Sequence, residues 1–485
     1  MGFRHVLVLG LAACGVEYVE PPGPPSPTPR ATWYQDVARI VAAKCTGCHQ
    51  DGGIAPFALT ASDGAIEHGG QMLTQIDRGA MPPFDAREQQ GDAGCTPRFG
   101  WKDDPRLTVA EKATLHAWVE DGYALGTPAP MPAPPETSLP GVSRTVAPAQ
   151  PFAASGSRDQ FMCTILDPGA AQLTWMTGLQ VRPGNPNVVH HVVVTELQAG
   201  ADLDAQLAAH PVGVPFDCGA QATPGAFVIS IWTPGNQPMQ TPDQLAVPIT
   251  AGAKLVMQIH YHPNGTLAAP DTTSLDLRFS SVWPRKMYFV TAFGNAATAA
   301  DGLLADPDDT GAPAFTIPAN RADHVETMQL AIPDVSGLGE VRLYSANPHM
   351  HLVGTHIEGS IERRAPPADQ PRSECLANGG WNFDWQRTYA YDAPLDALPL
   401  VQTGDTLTIR CHWNNTLANP FVQRLLHDAN MVAPVDLHLG EQTTNEMCLE
   451  IFGLVLDAPA NPATGQVIDH VPVPAFALRP SSLSL

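Results

Sequence analysis

Residues 127–151 read TPAPMPAPPETSLPGVSRTVAPAQP, a proline-dense stretch that cannot build a core of its own, and the texture of the chain changes across it. Downstream, short runs of Val, Ile, Thr and aromatic residues are broken by Pro, Gly and Asn, as in NVVHHVVVTEL, AFVISIWTPG and AKLVMQIHYHPNG. That pattern is strand and turn, and it calls for β-sandwiches. Residues 152–460 exceed one small sandwich and suit two, 152–285 and 286–460. In the second, WNFDWQRTY alternates, which predicts a strand with Trp381, Phe383, Trp385 and Tyr389 on one face. Upstream, Trp33, Val37, Ile40 and Val41 have helical spacing, Gln71 to Arg78 read as helix, and Thr108 stands three residues before Glu111 as in a capping box. Residues 31–126 are therefore expected to form a small all-α domain ahead of the two sandwiches.

Asp and Glu outnumber Lys and Arg by 48 to 26, a net charge of −22, which excludes nucleic acid and anionic lipid surfaces as natural partners. The first residues, MGFRHVLVLGLAACG, place an arginine before a short apolar run and small residues, the plan of a secretory signal too short to span a bilayer. Leu11-Ala12-Ala13-Cys14 is similar to a bacterial lipobox, so residues 1–14 are expected to be removed or lipidated at Cys14. Residues 15–30 would tether an exported protein to a membrane in the periplasm or at the outer surface, and 461–485 form a tail. An oxidising compartment permits disulfides. Of nine cysteines, Cys14, Cys45 and Cys48 have other expected uses, leaving six that allow three bridges in fifteen pairings.

CTGCH at Cys45 to His49 is C-x-x-C-H, the attachment motif of c-type haem, in which two thiols bind the porphyrin and the histidine becomes an axial iron ligand. Downstream, RGAMPPF supplies Met81 on a proline-fixed loop, with Met72 and His68 as competitors for the sixth ligand. The arrangement resembles class I cytochromes c, including the closing helix with Trp118, and the resemblance implies one covalent haem held by Cys45, Cys48, His49 and Met81. Methionine ligation raises the potential, so such an iron relays electrons.

Four later segments carry histidine and methionine: VVHHVVV, VMQIHYHPNG, NPHMHLVGTH and TTNEMCLEIF. In an extended strand His349 and His351 share a face, as do His260 and His262, whereas adjacent His190 and His191 point apart unless a bulge, a twist or a strand edge intervenes. Imidazole with thioether suits copper, and carboxylates are absent from the three histidine motifs. His356, His412 and His427 fit no motif and read as hydrogen-bonded or surface residues.

Taken in order, the four segments resemble the copper type II, ascorbate-dependent monooxygenases, the family of dopamine β-monooxygenase and peptidylglycine α-hydroxylating monooxygenase, over roughly residues 155–455. The resemblance implies two jelly-roll sandwiches, each presenting one copper ion to a solvent-filled cleft between them. It assigns His190, His191 and His260 to an all-histidine site, with His262 as the alternative to His260, and His349, His351 and Met447 to a catalytic His2Met site. It pairs Cys411 with Cys448. Cys163 with Cys218 is a further pairing, while the partners of Cys95 and Cys375 stay open.

By the same resemblance, O2 and a small organic substrate meet at the His2Met copper and a C–H bond is hydroxylated. Ascorbate or another reductant, or a periplasmic donor acting through the haem carried on the Pro/Ala linker, supplies two electrons. In the peptide-amidating member an arginine before the H-x-H and an asparagine and tyrosine after the M-C pair hold a carboxylate. The matching positions here are Asn347, Leu449 and Ile451, so a glycine-extended peptide is not expected. The alternative is an exported copper-binding or electron-transfer lipoprotein that oxygenates nothing.

Overall fold

The computed structural model describes residues 30–51, 55–86, 95–133, 137–156, 158–219, 223–263, 265, 267–295, 302–440 and 442–459. The expected signal with Cys14, all but the last residue of the tether and the 461–485 tail lie outside them. The protein is mainly β-sheet with few helices. Among the described residues no helix is long and apolar enough to cross a membrane.

The helices are concentrated near the start. A π-helical turn at Trp33–Val37 leads into α1 (Ala38–Lys44), followed by α2 (Ser62–Asp77) and α3 (Val109–Glu120). Thr108 Oγ1 accepts the Glu111 N–H and Glu111 accepts the Thr108 N–H, so the capping box closes and fixes where α3 begins, an arrangement that stabilises a helix by about 1 kcal/mol. Trp33, Val37, Val41, Met72, Ile76, Leu115 and Trp118 form a separate apolar cluster, with the Trp33 and Trp118 rings 5.5 Å apart.

Three larger sheets follow. A ten-stranded sheet runs Arg144–Val146, Ser274–Ser280, Thr174–Arg182, Leu245–Ile249, Lys286–Asn295, Cys448–Asp457, Val341–His349, Tyr389–Ala390, with two short strands at its sides. It passes from the first sandwich to the second at a parallel contact of Leu245 and Ala246 with Lys286 and Met287. A five-stranded sheet (Phe216–Asp217, Gln160–Leu166, Lys254–Tyr261, Val189–Leu197, Phe227–Trp232) belongs to the first sandwich. A four-stranded sheet (His324–Ala331, Thr406–Trp413, Gly354–Glu362, Ser373–Gly380) belongs to the second. One apolar core runs through both halves, from Val192, Met257 and Leu275 to Leu343, Ile409 and Phe452.

Two sequence expectations are corrected. The proline-dense segment is not a free tether throughout, because Arg144–Val146 pairs with Ser274–Ser280 and Leu139 is buried. The β-branched Thr145 and Val146 fill an edge strand, and the prolines fall outside it. Residues 381–389 are not a strand: Phe383–Trp385 is a 3-10 turn, followed by the two-residue strand Tyr389–Ala390. The Asn382 side chain accepts the Asp384 N–H, a local bond that competes with sheet pairing.

The helical module is also docked. Cys95 forms a disulfide with Cys375 of the second sandwich, Arg98 pairs with Glu374 at 2.7 Å, and Trp101 stacks on Tyr391 with ring centroids 5.0 Å apart. Phe84 and Trp101 belong to the sandwich core. Cys163–Cys218 and Cys411–Cys448 are the other two disulfides, and three bridges fit an oxidising compartment.

Candidate metal centres

His190 and His191 reach one point because the strand Val189–Leu197 bulges there. Val189 faces Tyr261 and His191 faces His260, so His190 is the extra residue and its ring turns to the same side. The Nδ1 atom of His191 lies 3.3 Å from those of both His190 and His260. Three nitrogens bound to one metal at about 2.0 Å stand about 3.3–3.5 Å apart, so the spacing fits. One atom cannot serve both neighbours well, since a proton on His191 Nδ1 satisfies one contact only. A cation among three lone pairs satisfies all of them.

Burial, reinforced by His260, holds His190 and His191 well below the usual histidine range, so they stay neutral and can donate lone pairs. The Asp159 carboxylate faces His260 Nε2 at 3.3 Å, which favours a proton on that nitrogen and leaves Nδ1 to the centre. His262 turns away, with Nδ1 2.7 Å from the same carboxylate. The structure thus brings His190, His191 and His260 together and leaves His262 as an outer partner. Burial pushes the Asp159 carboxyl up, but His260 and His262 more than offset it and hold it far below its usual range.

The second donor set is built differently. His349 Nδ1 lies 3.1 Å from Gln386 Oε1, and His351 Nδ1 lies 3.2 Å from the Asn445 carbonyl. Both partners accept, so each ring carries its proton on Nδ1 and offers Nε2 as a lone pair. His349 Nε2 is buried without a hydrogen-bond partner, which leaves its lone pair available to a metal. Burial lowers His349 to about 4 and, with His349 adding repulsion, His351 to about 3.

Met447 is fully buried and its position is tied to the histidines through the preceding residue. The buried Glu446 carboxylate accepts from His351 N at 3.0 Å, Val353 N at 2.8 Å and Trp413 Nε1 at 3.0 Å. The Cys411–Cys448 bridge fixes the following residue.

The two sets are neighbours, since His349 and His351 add to the repulsion that lowers His191. Side chains from several segments pack around the two sets. Asp159 of the first sandwich accepts from Thr443 Oγ1 of the second at 3.1 Å. From the other side, Phe383 stacks on His190 at 4.7 Å, Gln386 holds His349, and Trp381 Nε1 donates to the His351 carbonyl at 2.8 Å.

Arg387, next along, donates to Pro83 O at 3.2 Å in the helical module. It also lies near the C-x-x-C-H motif: burial pushes the Cys48 thiol up, and Arg387 pulls it partly back. Cys45 and Cys48 are free thiols at the end of α1, and burial lifts Cys45 to about 12. His49 Nδ1 lies 3.1 Å from the Phe57 carbonyl, which leaves its Nε2 as the available ligand atom. Unbridged thiols beside a histidine of fixed tautomer fit covalent haem attachment. Met81 is half-buried on the loop after α2, its N–H bonded to Gln75 O. Met72 is buried in the helical core and His68 stacks on Phe57, so both have packing roles.

Between the two sandwiches lies a cavity of about 420 Å³, lined by Trp232 and Met239 from one and Tyr288, Tyr344, Asn347 and Ile451 from the other, with Lys102 of the helical module at one side; Asn347 is two residues before His349, and none of the six donor residues lines it. His427 is exposed, and His356 and His412 face each other across two strands away from both sets.

No protein-family model matches the chain, and no curated protein does. Solved structures similar to parts of it include the major capsid protein P2 of bacteriophage PM2, at 10% identity over 66% of this chain and 98% of that one, with a TM-score of 0.24. Infectious bursal disease virus, Gx strain (8%, 67% and 75%, 0.18) and Sulfolobus turreted icosahedral virus (10%, 60% and 96%, 0.18) also match. Scores this low carry no argument about fold or activity.

Sequence reasoning missed Asp159, Gln386 and Glu446. Each is an ordinary polar residue whose partner lies from 37 to 103 positions away, and nothing local marks it.

Proposed function

We propose that the protein is an exported copper-dependent monooxygenase, similar to the copper type II family. It hydroxylates a C–H bond of a small organic substrate with O2 and draws electrons through a covalently attached c-type haem. One observation carries the reading: three imidazole Nδ1 atoms converge in one set, and two nearby rings held through Nδ1 offer Nε2 in another, so the two donor sets are chemically unlike. Copper bound to the His349, His351 and Met447 set would supply O2 activation, and copper on His190, His191 and His260 would store the second electron.

The chain's own residues do the rest. Thioether ligation by Met447 favours the reduced ion. Gln386 and the Asn445 carbonyl hold the two rings in the tautomer that offers Nε2. The cavity bounded by Asn347 and Ile451 gives the substrate its place, and the residues there differ from a peptide-carboxylate clamp. The 381–389 segment touches the helical module and residues of both donor sets, and would link electron entry to the donor sets. A copper-binding protein that oxygenates nothing does not need two unlike donor sets.

The test is stopped-flow reoxidation. Haem reduced anaerobically is mixed with O2 in copper-loaded protein, copper-free protein and the Met447→Ala variant. Fast reoxidation that needs both copper and Met447 supports the proposal, and equal rates in all three would overturn it. Point variants are required, because deleting residues 31–127 also removes Cys95, Phe84 and Trp101 from the second sandwich.

A further inference from the structure

The strand His324–Ala331 lies at the edge of the four-stranded sheet, and its first and third residues, His324 and Glu326, share a face. Both are buried, Glu326 completely. Over them runs ADPDDTG, residues 305–311, held beside the strand by the Leu304 N–H to the Thr327 carbonyl. His324 Nε2 is 3.1 Å from Glu326 Oε1 and 3.7 Å from Asp306 Oδ2, and the ligand atoms of the three residues lie within 4.8 Å of one another. On the far side of the ring, Asp308 Oδ2 faces Nδ1 at 3.7 Å.

Hydrogen bonding alone leaves this cluster incomplete. Glu326 Oε1 meets His324 and the Thr316 N–H, but Oε2 is buried with no hydrogen-bond partner. Ionised, that oxygen lacks a donor; protonated, it lacks an acceptor. Either state is costly in a closed site. A protonated His324 supplies one positive charge to two facing carboxylates, while Arg321 pairs with Asp308 and Asp323.

We infer that Asp306, His324 and Glu326 bind a divalent cation of zinc type, with Asp308 orienting the imidazole through Nδ1. One imidazole with two carboxylates, and no sulfur, suits zinc and disfavours Cu(I). A carboxylate behind the ligating histidine is the usual outer partner of such a site. The cation fastens the 302–316 segment to the sheet. It also lies behind Trp413, whose ring is 6.0 Å from His324 and whose Nε1 donates to Glu446.

The full chain, stripped of metal and reloaded with copper, is dialysed against Zn2+. Zinc retained and the thermal midpoint are then compared for wild type, Glu326→Gln, Asp306→Asn and Asp308→Asn. Wild type is expected to hold one more zinc than Glu326→Gln or Asp306→Asn at equal copper content, and to rise in midpoint with Zn2+ where those variants do not. Asp308→Asn should weaken zinc binding by about 10–100-fold, the usual cost of an outer partner. Asp306 sits on a surface segment, so its variant keeps the test readable if Glu326→Gln fails to fold. Equal zinc in wild type and both ligand variants, an equal Zn2+ shift in all, or a site that takes Ca2+ and not Zn2+ would overturn the assignment.

Discussion

The two donor sets are put together by opposite constructions. The first is local: a single bulge in one antiparallel pair swings His190 beside His191 and His260, and rigid rings close to the backbone present Nδ1. The second is assembled at long range: His349 ends one strand and His351 follows it, Met447 precedes another strand, and Gln386, Asn445, Glu446 and a disulfide hold them. A centre that only changes oxidation state is served by three similar ligands locked in place. A centre that must bind and release O2 and work beside a substrate needs a soft ligand and adjustable outer partners.

Substitutions that act on one set alone sharpen that contrast. The largest expected effect is on O2 reactivity. Met447→Ala should slow copper-dependent haem reoxidation by more than about 100-fold, beyond the 10–100-fold cost typical of outer partners. Its all-histidine centre should still take copper, as read by copper content. Retained fast reoxidation would remove Met447 from the chemistry.

The second sandwich depends on covalent ties. Cys95→Ser with Cys375→Ser should cost about 2–5 kcal/mol in unfolding stability and slow haem-to-copper electron transfer. Urea unfolding and stopped-flow kinetics check the two effects separately.

The first sandwich instead carries a pH liability on its ligand strand. Burial lifts Glu196 to about 7, above the ordinary 4.5, although Thr250 N and Oγ1 donate to it. The folded state therefore holds a proton that the unfolded state releases. Stability is fully present below pH 4.5 and declines as pH rises toward 7, by about 3 kcal/mol in all. Glu196→Gln should flatten that decline, so that the variant gains on wild type between pH 5 and pH 8. An unchanged pH profile would contradict the reading.

The smallest effects belong to the outer partners. Gln386→Leu should weaken Cu(I) binding at the His349 centre by about tenfold, and Asp159→Asn should do the same at the all-histidine centre. Competition against a chelator of known affinity measures both. If either variant moves both centres equally, the two sets are not independent.

Much of this was legible in the sequence because it is local. The α3 capping box and the strand texture after residue 152 follow from spacing alone, and the structure has each; His190 and His191 needed a twist, a bulge or a strand edge to share a side, and the structure has the bulge. The family resemblance supplied the Cys411–Cys448 pairing and the choice of His260 over His262 as the residue that converges. What sequence could not give spans long separations. Cys95 meets Cys375 across 280 residues. The alternation of Trp381, Phe383, Trp385 and Tyr389 misled because Phe383 packs on His190 and Tyr389 on Phe84, two different surfaces rather than one sheet face. His324 and Glu326 share a strand face, but Asp306 joins them from a separate segment that no local pattern connects to the strand.

X-ray absorption at the copper edge, on copper-loaded protein reduced under anaerobic conditions, tests the central claim of two unlike copper sites most directly. Two coppers per chain are expected, with a sulfur neighbour at about 2.3 Å for one of them that is absent in Met447→Ala. Two coppers with nitrogen neighbours only, or a sulfur signal that survives the substitution, would contradict it.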